Sequence, residues 1–96
     1  MLFVATCTDK SDLLQLRLDT RPAHLAYLNS LGGRVRAAGA LLAPDQNGVI
    51  GSLLVLEGET QTEVAELMEM DPYARAGLFA SVDVKPWRQV FGVSLS

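Results

Sequence analysis

Apolar and polar positions along this chain follow two periods, and the switches between them predict its elements. "LFVAT", Leu2 to Thr6, has the length and β-branched content of a short strand. Polar residues from Thr8 to Asp12 end it with side chains suited to capping a helix. The period then lengthens, with leucines at 13, 14, 16 and 18 predicting a first helical segment. Pro22 disfavours helical geometry at Arg21 and predicts a break or kink there. Thr20 is placed to cap a second segment, with Pro22 in its first turn, where a missing N–H costs little. Gly32-Gly33 ends that segment.

Two apolar runs follow, "RVRAAGALLA" and "VIGSLLVLE", and the turn formers "PDQNG" between them predict an antiparallel hairpin. Thr60 followed by Glu63 is a capping-box pattern ahead of Val64, Leu67 and Met68, so a helix starts there. Pro72 pushes Asp71 out of helical geometry and ends it near Met70, after which "PYARA" predicts one more turn closed by Gly77. In "FASVDVKPW" the period shortens to two, with Ala80, Val82 and Val84 on one side and Ser81, Asp83 and Lys85 on the solvent side. "VFGVSL" predicts a last edge strand or extension, and Trp87 anchors the end of the sheet. Strand, helix, strand, strand, helix, strand is the order of an α+β split βαβ or ferredoxin-like fold, with helices on one face of an antiparallel sheet. The other face is left open, and the apolar residues of "GALLA" and "SLLVLE" predict a homodimer that covers part of it.

Composition narrows the function. Ninety-six residues suit one domain, 1–96. Hydrophobic residues make up 49% and charged residues 20%, enough for a folded core. A net charge of −3 argues against a nucleic-acid surface, which needs clustered lysine and arginine. One cysteine, Cys7, has no partner for a disulfide within the chain and reads as a small core residue of a cytoplasmic protein. The opening apolar run is too short for a signal-peptide core or a membrane span. No zinc spacing, calcium loop or glycine-rich phosphate loop is present, so the expectation is chemistry without metal or cofactor.

The only histidine, His24, carries the candidate chemistry. At about 100° per residue, Leu28 lies about 40° from it and Leu31 about 20°, so the imidazole is central to the apolar face of its helix. A histidine there needs a hydrogen-bond partner, because an unsatisfied buried polar group costs about 1–3 kcal/mol. Asp71 can supply one if the fold brings the two helix edges together. A carboxylate on one ring nitrogen raises basicity and fixes the tautomer, which leaves the other nitrogen for a substrate proton. Without that meeting, His24 is a core residue bonded to a backbone carbonyl and Asp71 is only an N-cap. Arg17 and Arg21 flank the approach to His24 and suit a carboxylate or phenolate. Arg75 and Tyr73 are further substrate-binding candidates, Arg75 competing with an ion pair to Asp71 and Tyr73 with simple packing.

"RPAHLAYL", "DPYARAGLF" and "VDVKPW", in this order, resemble the YciI-like (YCII-related) family over nearly the entire chain. The resemblance implies a ferredoxin-like fold, dimers packed through their sheets into an α/β barrel-like assembly, and a cleft with a histidine and an aspartate as an acid/base dyad. At the matching positions these are His24 and Asp71. Family members similar to dehydrochlorinases of chlorinated hydroxyquinols imply a lyase or isomerase acting on an oxygenated or aromatic small molecule. The alternative from a different class is a dimer that binds or senses a small ligand without turning it over. "LLAPD" departs from the family's usual Gly-Pro entry to the hairpin, at the cleft rim.

Overall fold

Alternation along the strands decides which face of the sheet is buried. In a computed structural model covering residues 1–96, Phe3, Ala5 and Cys7 are almost wholly shut off from solvent, and so are Leu54 and Leu56. They belong to β1 (Leu2–Asp9) and β3 (Val49–Glu57), the two central strands. β2 (Val35–Leu42) and β4 (Phe79–Trp87) are the edges, giving the order β2-β3-β1-β4 with every neighbouring pair antiparallel. Ala5 lies opposite Leu54 on one side and Val84 on the other, so one row of side chains crosses three strands into the core. Val64 and Met68 of α2 (Gln61–Glu69) close over that row. This is the ferredoxin-like α+β arrangement, with the helices on one face.

The helical segments differ in part from the sequence expectation. α1 runs unbroken from Leu14 to Leu31 with Pro22 inside it, rather than as two segments with Thr20 as a cap. Proline removes one main-chain hydrogen bond, yet the helix continues past it, with Arg17 before it and His24 after it both buried. The polar residues before α1 do not cap it either: Leu13 stands at the cap position without a side-chain hydrogen bond. No helix is long and apolar enough to cross a membrane.

The capping box at the start of α2 forms, Thr60 accepting from the Glu63 N–H at 3.1 Å while the Glu63 carboxylate accepts from the Glu59 N–H. Gly58, where β3 turns toward α2, lies so near Val64 that a β-carbon there would stand 2.6 Å from a valine methyl. The hairpin between β2 and β3 closes through the Ala43 N–H on the Gly48 carbonyl, 2.8 Å away. Beyond Trp87 the chain forms no strand: Val90, Phe91 and Val93 are almost fully exposed, so the expected last edge strand is absent. Trp87 ends β4 opposite Leu2 but remains 38% exposed.

Candidate functional site

α3 (Pro72–Arg75) is a single turn, and its cap creates the site. Pro72 holds Asp71 in extended geometry, the Asp71 carboxylate accepts the Tyr73 N–H at 2.9 Å, and Gly77, at φ 81°, ends the turn. Asp71 is fully buried. Its companion arrives from α1, where the Nδ1 of His24 lies 2.8 and 2.9 Å from the two Asp71 oxygens. A carboxylate only accepts, so Nδ1 carries the proton, and in the neutral ring Nε2 keeps a lone pair. Nε2 makes no hydrogen bond within the chain, whereas every side-chain polar atom fully shut off from solvent has one. It therefore reaches the cleft that His24 lines.

The Tyr73 ring stacks on the imidazole, centroids 4.0 Å apart at 20°. The Arg17 guanidinium carbon lies 4.6 Å from the centre of the same ring. The Tyr73 ring is thus in contact with both the imidazole and the guanidinium. Arg17 is itself held: Nε and Nη2 donate to the two oxygens of Asp9 at 2.7 and 3.0 Å, and Nη2 also donates to the Ser52 hydroxyl at 2.8 Å. Burial opposes the Arg17 charge, but hydrogen bonds to Asp9 and its negative charge outweigh that and hold the guanidinium protonated. Burial pushes the Tyr73 phenol above its ordinary value, and the Arg17 and Arg21 charges pull against it. Burial, reinforced by the Asp71 and Asp9 charges, pushes the Cys7 thiol up to about 12, so it is a neutral packing group.

The cleft is about 160 Å³ and runs between α1 and the edge strand β2, with Arg17, Tyr73 and His24 against Ala38, Ala40 and Leu54. Larger hollows lie beside the tail and on the outer sheet face. Volume does not choose among them; only this cleft has a held imidazole and a buried guanidinium together.

The structure thus brings together five of the six residues singled out from sequence: His24, Asp71, Arg17 and Tyr73 in the cluster, and Arg21 exposed at the cleft rim. Arg75 stands apart. It is exposed, its guanidinium reaches the Met70 sulfur at 3.6 Å, and it makes no ion pair with Asp71, because the buried carboxylate faces α1. Asp9 and Ser52 join the cluster without having been singled out. A signal for Asp9 existed: Arg17 is seven residues before His24, about 20° from it around an unbroken helix, and a buried arginine requires a carboxylate.

A profile of the YCII-related domain matches residues 1–88. The chain belongs to that family. Protein YciI of Escherichia coli O6:H1 is 41% identical over 98 residues, spanning 95% of this chain and all of that one. Among solved structures, 5-chloro-2-hydroxyhydroquinone dehydrochlorinase (TftG) from Burkholderia phenoliruptrix AC1100, in complex with 2,5-dihydroxybenzoquinone, is 37% identical. It superposes with a TM-score of 0.84 over 94% of this chain and 96% of that one. An antibiotic biosynthesis monooxygenase, 11% identical with a TM-score of 0.56 over 94% of this chain and 99% of that one, is similar in fold alone. In this YCII-related chain His24 and Asp71 meet where the first helix passes the last one.

Proposed function

We propose that this YCII-related protein is a cofactor-independent lyase or isomerase acting on a small oxygenated or aromatic molecule, with His24 and Asp71 as its acid/base pair. The observation that carries this reading is the imidazole with Nδ1 bound to a buried carboxylate and Nε2 open to a cleft. In an elimination, Nε2 takes the proton of a ring hydroxyl and the charge spreads through the ring to the carbon bearing a halogen. That carbon takes a proton back, the halide leaves with its bonding pair, and a second hydroxyl loses its proton. The sum is loss of HX with formation of a quinone, and no oxidant is consumed. Asp71 supports the imidazolium, and the fixed Arg17 charge favours the ring oxyanion. The likeness to a dehydrochlorinase solved with a dihydroxybenzoquinone supports the substrate class. In this reading two copies pack through the open sheet face, and no nucleic acid is bound.

Incubation with 5-chloro-2-hydroxyhydroquinone under exclusion of oxygen, with chloride as the readout, tests the proposal. Chloride release well above the buffer control is expected, with His24→Asn lowering kcat by about 10²- to 10⁴-fold. Release at the buffer rate, or an unchanged His24→Asn, overturns it. Tight binding of the ring without chloride release, weakened by His24→Asn, assigns the cleft to ligand binding instead.

A further inference from the structure

We propose that Ala38 and Ala40 of the edge strand β2 determine specificity, restricting the cleft to a single six-membered ring with oxygens along one edge. The inference deepens the reading above and rests on it for the word substrate; the selection of the ring stands on the cleft alone. Ala38 pairs with Leu54 and Ala40 with Ser52, so both methyls point to the helix side of the sheet. On that side Leu54 and Ser52 are buried, yet Ala38 and Ala40 are exposed. The gap exists because strand positions that ordinarily carry β-branched residues here carry methyl groups. A valine at either place would project into the space that faces Arg21, His24 and Leu28.

Other walls cannot yield to compensate. Tyr73 packs against both His24 and Arg17, and Arg17 is tied to Asp9 and Ser52. His24 is 93% shut off from solvent, and its unpartnered Nε2 reaches the gap, which marks the space as a ligand site rather than a packing defect. The volume of about 160 Å³ sets the scale. An apolar cavity of about 150 Å³ accepts a benzene ring, and drug-sized ligands need about 300 Å³ or more. One ring fits within the walls, and a second fused ring finds no room between them. Polarity sets the orientation, since the helices bring Arg17, His24 and Tyr73 to the cleft while the strands bring Ala38, Ala40 and Leu54, the one strand hydroxyl, Ser52, being tied to Arg17. The ring therefore presents oxygens to the first group and carbon to the second.

Titration of the full chain with 2,5-dihydroxybenzoquinone and with 2-hydroxy-1,4-naphthoquinone tests the inference. The expected result is at least tenfold tighter binding of the single ring. Ala38→Val and Ala40→Val are expected to weaken it at least tenfold with little change in melting temperature. Should a valine variant fail to fold, the double variant Ala38→Gly and Ala40→Gly adds no bulk and narrows the preference between the two rings. Equal affinity for both rings in the unaltered protein, no saturable binding of the single ring, valine variants within twofold of it, or an unchanged preference in the glycine variant overturns the inference. Selection of one ring without chloride release overturns the acid/base reading alone. Equal chloride release from chlorinated one-ring and two-ring hydroquinones overturns the size rule alone.

Discussion

One oxygen of Asp71 serves two neighbours: Oδ1 accepts from the Tyr73 N–H and from Nδ1 of His24. Asp71→Ala removes an N-cap, worth about 1 kcal/mol, and leaves a buried ring donor without an acceptor, at about 1–3 kcal/mol. A loss of about 2–4 kcal/mol in urea unfolding is expected. Asp71→Asn keeps a capping oxygen and should cost less than half as much; equal losses would contradict the double role. His24 was legible as a polar group on an apolar helix face, and Asp71 as a residue forced out of helical geometry by Pro72. Arg17 was legible as a candidate, but its burial was hidden, because dividing the helix at Pro22 removed it from the face shared with His24. Ser52 was not legible at all, since a serine alternating with leucines in a strand carries no sign that an arginine will reach it.

Among the elements, α1 shows most plainly where local rules yield to packing. Pro22 offers no N–H to the Leu18 carbonyl, yet the helix continues, so the missing bond is a standing local cost. Pro22→Ala is expected to raise stability by about 1–3 kcal/mol in chemical denaturation, reduced by the greater freedom of the unfolded chain. A loss of stability would mean that the prolyl ring supports α1 in some other way. β2, β3, β4 and α2 kept close to their expected bounds, whereas β1 runs on through the polar Thr8 and Asp9, which pair with β4. The tail did not keep to its pattern: "VFGVSL" has the apolar content of a strand, but it makes no ladder, and Gln89 instead accepts from the Leu95 N–H within the tail. Composition suggested a strand, and only pairing could have made one.

At the scale of the molecule, the sheet has a helix-covered face and an open one where Val4, Leu53 and Val55 surround a hollow beside Trp87. If two copies meet there, as proposed, light scattering reads twice the mass of one chain, and Leu53→Lys, a change at a half-exposed position, shifts the reading to one. A single-chain mass for the unaltered protein at all concentrations would rule that packing out. The order of elements disclosed the open face, but residues 47 apart could be joined only by folding. Both supports of the imidazole, the ring against its face and the anion at its edge, ride on the four residues of α3 and their cap. Sliding that small clasp by about an ångström would pull the anion out of hydrogen-bond reach while the phenol ring still covered the imidazole, so the histidine would lose its charge partner before its roof.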